Sequence, residues 1–170
     1  MRKSKQTPVV SVVMGSDSDF AVMEEAVKVL DSFGISCEVF LTSAHRSPKR
    51  TTSFAEGAAA RGVRVLIVWA GAAAHLAGVI AAHTPLPVIG VPLDATSLRG
   101  MDALLATVQM PGGIPVAAMA IGKAGAKNAA LLAVRILALA EESLGEKLRS
   151  YHEDIIREIE KKQKNLPCRK

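Results

Sequence analysis

The sequence predicts an α/β fold built on a parallel, doubly wound sheet, and three observations lead there. Short apolar or β-branched runs alternate with segments of helical periodicity along the whole chain. The central run Val63–Trp69 shows no alternation of polarity, which suits a strand covered on both faces. Aromatic residues are only 4% of the chain while apolar residues are 49%, so the core must be Ala, Val, Leu and Ile. Side chains of that size let helices lie close on a sheet. At 170 residues, one domain with a real core is the simplest organisation. We expect it to span 9–162, flanked by flexible basic segments at 1–8 and 163–170.

The elements follow in order. Val9–Met14 is a β-branched run that stops at Gly15. After the polar loop Gly15-Ser16-Asp17-Ser18-Asp19, residues Phe20, Met23, Val27 and Leu30 recur at helical spacing until Gly34 ends the helix. Ser36–Leu41 is the second strand. Pro48 suits the first turn of a helix running through Phe54 to Gly62. Val63–Trp69 is the third strand, and the small residues from Gly71 lead into a short helix ending at His83. Val88–Val91, bracketed by Pro87 and Pro92, is the fourth strand. A helix around Leu98–Val108, a turn at Gln109–Pro115 and a fifth strand at Val116–Ile121 come next. Ala124–Leu144 is apolar on nearly every side, and a helix buried all round in a chain this small implies contact with another subunit. The last helix, Glu146–Lys162, is amphipathic, with i,i+4 charge pairs such as Glu153–Arg157. Right-handed crossovers and short loops favour the flavodoxin-like strand order 2-1-3-4-5 in a three-layer single domain.

The net charge of +5 is misleading. The two basic ends hold 8 of the 21 Lys and Arg residues, leaving 13 against 16 acidic residues in 9–160. Such a body has no basic face for a phosphate backbone and too few aromatics to stack bases, so nucleic acid is excluded. The two cysteines form no Cys-x-x-Cys pair. No signal-peptide pattern and no membrane-length apolar run is present, so a cytoplasmic protein without membrane contact is expected.

In sheets of this kind ligands bind beyond the carboxyl ends of the strands. The loops after the first three strands bring Ser16, Asp17, Ser18 and Asp19, then Ser43, His45 and Arg46, then Gly71 and His75 to that edge. The first loop offers amides at a helix N-terminus, suited to an anion, and hydroxyls and carboxylates suited to a diol. Capping by Ser18 or Asp19 accounts for the same residues. Histidine moves protons near neutrality, which makes His45 a candidate acid–base. Arg46 matches a phosphate in bidentate fashion, or serves as a surface ion pair. His83 reads as packing or surface. His45, His75 and His83 lie on separate elements with no fixed spacing, a weak basis for a metal. The first loop is not Gly-x-Gly-x-x-Gly, and Gly122-Lys123 lacks the remainder of a P-loop, which weighs against nicotinamide cofactors and ATP. A flavin would find only one Trp and one Tyr to stack on.

Gly15–Asp19, Ser43–Pro48, Gly71–Leu76, Val108–Val116 and Ala120–Gly125 together resemble, in order, the motifs of the class I N5-carboxyaminoimidazole ribonucleotide mutases of purine biosynthesis. The resemblance covers about Val10 to Ala140. It implies an isomerase that moves a carboxyl group from the exocyclic nitrogen of a ribonucleotide to ring carbon C4, by decarboxylation and recarboxylation. On that likeness His45 is the proton shuttle. Ser16, Asp19 and Arg46, with Ser18 and Ser43 nearby, hold phosphate and ribose. Gly71, Ala72, His75 and Leu76 belong to the loop that walls the CO2 pocket, and Gln109–Pro115 closes from beside it. The family resemblance also implies no metal or organic cofactor, and a homo-octamer whose contacts use the C-terminal helices.

Three positions depart from the family pattern. Ala72 stands where a second glycine is usual, Ala77 where proline is usual, and Trp69 where a small residue is usual. An extra methyl at Ala72 narrows the pocket or restricts a backbone angle that glycine allows. Two other functions compete with the mutase. Direct carboxylation of aminoimidazole ribonucleotide, the class II activity, usually goes with Lys after the histidine, where this chain has Arg46. A non-catalytic flavodoxin-like nucleotide-binding module is the alternative from outside the family.

Overall fold

The computed structural model describes residues 7–167, apart from the side chain of Ser18. The expected basic ends thus lie partly outside the described residues. The backbone gathers into two compact units, one through Ala133 and one from Val134.

The first unit is organised on β1 (Val10–Met14), whose five residues are all buried. Four of them are valine or methionine, and β-branched side chains fit a pleated surface covered on both sides. β1 pairs in parallel with β2 (Cys37–Leu41) on one side and β3 (Val65–Gly71) on the other. β4 (Val88–Leu93) and β5 (Ala117–Ala118) continue the sheet, giving the order 2-1-3-4-5 expected from the sequence. The helices of this unit are α1 (Phe20–Phe33), α2 (Pro48–Glu56), α3 (Leu76–Ala81), α4 (Met101–Val108) and the first part of α5 (Lys123–Ala138).

Strand periodicity assigns the two faces. Val13, Leu66, Val68 and Ala70 pack with Phe54 and Ala55 of α2, Leu76 and Ile80 of α3 and Ala103 of α4. The alternate residues Val12, Ile67, Trp69, Ile89 and Val91 are equally buried. Gly125 at the start of α5 comes against Val91 on that side, with no room for a Cβ. Trp69 is 0% exposed, so the large ring at this unusual position is interior to the fold.

The edge strand β2 is tied to α2 by a stack of two rings capped at each end by a guanidinium. Phe40 and Phe54 lie parallel with centroids 3.8 Å apart. Arg50 caps Phe40 and Arg61 caps Phe54, at 4.6 and 4.4 Å from the ring centres. Arg61 also donates to Glu38 and to the Phe54 carbonyl, and the Ser11 hydroxyl donates to Glu38. The loop between β2 and α2 is therefore held at both ends.

Several boundaries differ from expectation. The second helix stops at Glu56 rather than Gly62; the chain breaks at Gly57 and forms a short 3-10 turn over Ala59–Arg61. β3 runs to Gly71, because Gly71 still pairs with Leu93. β5 shrinks to two residues. The Pro92 carbonyl accepts from Gly122 N–H, so Pro92 turns its nitrogen toward β5 as well, and proline has no hydrogen to donate there.

In the second unit α5 ends at Ala138, not Leu144, and α6 (Glu142–Lys164) begins earlier than the sequence suggested. Leu139 and Ala140 close the last turn with three-residue hydrogen bonds to Ile136 and Leu137. Nor is α5 buried all round. Ala126, Ala129, Ala130, Ala133, Val134 and Leu137 form one buried stripe, while Lys127, Asn128 and Arg135 are exposed. Those polar residues share one side at helical spacing, a signal that the high alanine content masked. On α6, Arg157 pairs with Asp154 rather than Glu153. Leu144 is buried, and the helix is exposed from His152 onward.

A Cβ on Gly90, in the middle of β4, would lie 2.4 Å from Thr107 Cγ2 and 3.0 Å from Val116 Cγ1. Gly90→Ala should therefore destabilise the protein by about 1–3 kcal/mol through overpacking. The urea midpoint should fall with an unchanged slope. An unaltered midpoint would mean that α4 does not press on the sheet there.

Candidate functional site

β1 ends level with β2, where Met14 pairs with Leu41, while β3 runs on two residues past Trp69, the partner of Met14 on its other side. The chain therefore leaves the sheet from three adjacent strands at one edge, and a cavity of about 360 Å³ opens above them. Gly15, Ser16 and Asp19 line it from the first loop, Ser43, Ala44, His45 and Arg46 from the second, and Ala70 to Ala73 with Leu76 from the third. A second, more open recess beside it shares Gly15, Ser16, Ser43 and Arg46 and adds Asp17, Thr42 and Ser47. Arg46 stands where the two meet.

The first loop turns through a 3-10 segment, Asp17–Asp19, into α1. Asp19 occupies the N-cap position but makes no side-chain capping bond. Capping therefore does not account for its carboxylate, which borders the cavity instead. The Ser16 hydroxyl donates to Asp17. Ser18 belongs to the same turn, and its side chain lies outside the described residues.

The second loop is closed by hydroxyl groups. Ser47 Oγ accepts from Ser43 N–H at 3.0 Å and donates to the Ser43 carbonyl at 3.1 Å. Beneath it the buried Thr42 hydroxyl meets Ser47 Oγ at 3.2 Å and Thr51 Oγ1 at 2.9 Å. Ser43 Oγ accepts from the Arg46 amide at 3.2 Å. Arg46 then reaches across to the first loop, donating from NH2 to the Gly15 carbonyl at 3.0 Å. Arg46 Nε also donates to Ser43 Oγ at 3.5 Å, and the residue lines both recesses.

The third loop presents His75 through two successive three-residue turns. Ala74 N–H donates to Ala72 O and His75 N–H to Ala73 O, each at 2.8 Å. The His75 ring meets His45 edge to face, with His45 Nε2 2.8 Å from His75 Nδ1. His75 does not itself line the cavity; it touches the site through His45. Ala72 adopts φ +52°, the left-handed region that glycine enters freely and alanine only at a cost. The departure from a second glycine is thus borne as backbone strain. Gly71 has no such freedom to spare: a Cβ there would come 2.5 Å from the Ala95 Cβ.

Of the residues singled out from sequence, Ser16, Asp19, Ser43, His45, Arg46, Gly71, Ala72 and Leu76 all line the cavity. Ala95, from the loop after β4, was missed. It lies beyond the carboxyl end of a fourth strand, so the rule that pointed to the first three loops also reached it. No residue of Gln109–Pro115 lines the cavity. Met110 of that turn packs on Gly78 of α3. Among the described residues no three His, Cys, Asp or Glu side chains cluster to hold a metal, and no helix is long and apolar enough to cross a membrane. Burial pushes the Cys37 thiol up from its ordinary range, and the Asp31 carboxylate adds to this, so it is no ready nucleophile.

A 2-1-3-4-5 parallel sheet with a polar, histidine-bearing cavity at its carboxyl edge defines a flavodoxin-like α/β protein with a small-molecule site. A family model described as AIR carboxylase matches residues 9–158, and the chain belongs to this family. It is 52% identical over 161 residues to the N5-carboxyaminoimidazole ribonucleotide mutase of Pyrococcus horikoshii, covering 95% of this chain and 90% of that protein. It is 50% identical over 147 residues to the protein of the same name from Bacillus subtilis, covering 86% and 91%. Among solved structures, PurE of Treponema denticola aligns with a TM-score of 0.84 at 29% identity, over 95% of this chain and 99% of that one.

Relief of the strain at Ala72 is measurable. Ala72→Gly should raise stability by up to about 1 kcal/mol, the left-handed penalty outweighing the added freedom of the unfolded chain. Thermal or urea unfolding reads the change. A clear loss of stability would show that the methyl group packs usefully.

Proposed function

We propose that this chain converts N5-carboxyaminoimidazole ribonucleotide to 4-carboxy-5-aminoimidazole ribonucleotide in purine biosynthesis, acting as an isomerase. The observation that carries the reading is the meeting of His45, Arg46, Ser16, Asp19 and the Gly71–Ala73 backbone around one cavity. The names of relatives about half identical over most of the chain agree with it.

The chemistry assigns each group a task. Arg46 and Ser16 take the phosphate, and Asp19 and Ser43 the ribose, so remote binding energy fixes the ring. Protonated His45 gives its proton to the exocyclic nitrogen as the N–C bond breaks. The bonding pair stays on nitrogen and CO2 is released. The small residues Gly71, Ala72 and Ala73 hold CO2 against backbone without bulk, and Leu76 keeps the pocket apolar, so the two fragments stay within attack range. C4 then attacks CO2, and its proton returns to His45. One imidazole serves both steps, and no net proton is consumed. The reaction needs no metal or organic cofactor.

We further read residues 9–162 as one functional domain and the protein as a cytoplasmic homo-octamer. Apolar side chains left exposed, namely Leu98 in the turn before α4, Met101, Leu105 and Val108 along one side of α4, and Ile155, Ile156 and Ile159 of α6, support assembly. Light scattering should report the mass of eight chains; a monomer at micromolar concentration would overturn the assembly.

The reaction is tested by comparing initial rates with the N5-carboxylated substrate and with aminoimidazole ribonucleotide plus bicarbonate. Turnover of the first alone supports the mutase. Faster turnover of the second would make the chain a direct carboxylase instead. His45→Asn should lower kcat by roughly 10²–10⁴-fold with the fold intact. Arg46→Ala should raise KM roughly 10- to 100-fold, the loss of a charge-assisted phosphate contact; an unchanged KM would move the phosphate elsewhere.

A further inference from the structure

We infer that His75 is a positioning residue that fixes which nitrogen of His45 exchanges protons with the substrate. The inference rests on the mutase reading of the site and goes beyond it in naming the reacting atom. His45 Nε2 and His75 Nδ1 are 2.8 Å apart, a distance with room for one hydrogen between them and not two. The decarboxylation step begins with a protonated His45, whose two nitrogens both carry hydrogen. Its Nε2–H must then be the donor of this contact, and His75 Nδ1 must be a bare acceptor. His75 is accordingly neutral, with its hydrogen on Nε2.

This arrangement leaves His45 Nδ1 as the nitrogen that works. His45 borders the cavity, and with its Nε2 taken up by His75 the nitrogen left to meet a substrate there is Nδ1. The Nδ1–H proton passes to the exocyclic nitrogen as CO2 leaves and returns from C4 after the new C–C bond forms. The Nε2–H stays on His75 Nδ1 throughout. A hydrogen bond from one ring nitrogen selects the state of the other, which is how partner groups commonly set a histidine's tautomer. The backbone supports the placement: the paired turns at Ala73 and Ala74 and the strained Ala72 leave His75 little choice of position. Neither proton moves to or from His75, so it touches the reaction only through His45.

Two variants and one spectrum test this. His75→Leu removes the acceptor and should lower kcat roughly 10- to 100-fold with KM within about twofold of wild type, the size expected for a hydrogen bond to a charged group. His75→Asn places an amide oxygen near the lost Nδ1 and should restore kcat to within about threefold of wild type. In substrate-free wild-type protein with ¹⁵N-labelled histidine, at a pH where both rings are neutral, long-range ¹H–¹⁵N correlation should show His45 protonated at Nε2. The same signature should persist in His75→Asn and give way to mixed tautomers in His75→Leu. A His45 protonated at Nδ1 in the wild type would overturn the inference. So would wild-type kcat in His75→Leu, or a change confined to KM, which would make His75 a substrate contact. Absence of turnover in wild type would sink the mutase reading and not the pairing, which the nitrogen shifts of the substrate-free protein read directly.

Discussion

Everything at the site depends on one constraint, the parallel register that brings the carboxyl ends of β2, β1 and β3 to the same edge of the sheet. Met14 is in register with Leu41, where β2 also ends, and with Trp69, two residues short of the end of β3, so the three loops leave the sheet side by side at one edge. A parallel ladder permits this because all its strands point the same way. A slip of one residue in β2 would turn its inward side chains outward and carry Ser43 and His45 along the strand by about 3.3 Å. The stack of Arg50, Phe40, Phe54 and Arg61, with Glu38 bonded to Arg61 and Ser11, resists such a slip by tying β2 to α2 and to the turn at its end.

On that base the loops are made rigid by short-range bonds rather than by bulk. Ser47, Thr42 and Thr51 form a run of hydroxyls under the second loop, two of them almost fully buried. Buried hydroxyls must be partnered, and here they partner one another, so the loop conformation is selected by the cost of breaking the set. Arg46 then bridges to the Gly15 carbonyl and joins the first loop to the second. The third loop is joined to the second by the contact of His75 with His45. Three segments separated in sequence become one surface.

The third loop also carries the strain. Ala72 sits in a left-handed conformation, and strain of this kind persists where surrounding structure over-determines it. The last strands show the opposite economy. β5 keeps only two ladder residues because Pro92 withholds a donor, and the backbone reaches β4 again only at Met119 and Gly122. The sheet is thus firm where the site loops leave it and thin at its far edge.

Much of this was legible in the order of residues. The alternation of apolar runs and helical spacing was enough for the strand order, because crossover handedness leaves few other arrangements. The site loops were legible too, since Ser16, Asp19, Ser43, Arg46 and His45 all follow strands. Local patterns were misleading where composition was uniform. In Ala124–Leu144 no glycine or proline marks the break near Leu139, and alanine hid the exposed side carrying Lys127, Asn128 and Arg135. Ala95 escaped notice for a related reason: a methyl group carries no chemical signature. The sequence alone thus determined the fold class, the family and the loops whose polar residues border the cavity, because periodicity, loop placement and motif order are local properties of the chain. Only the tertiary structure decided how those residues meet. That Arg46 is anchored on Gly15, that Trp69 is interior, that Ala72 is strained and that His75 faces His45 rather than the cavity all depend on contacts between segments about 30 residues apart or on backbone angles. Such contacts arise from strand register and loop closure together, and no window of sequence contains both.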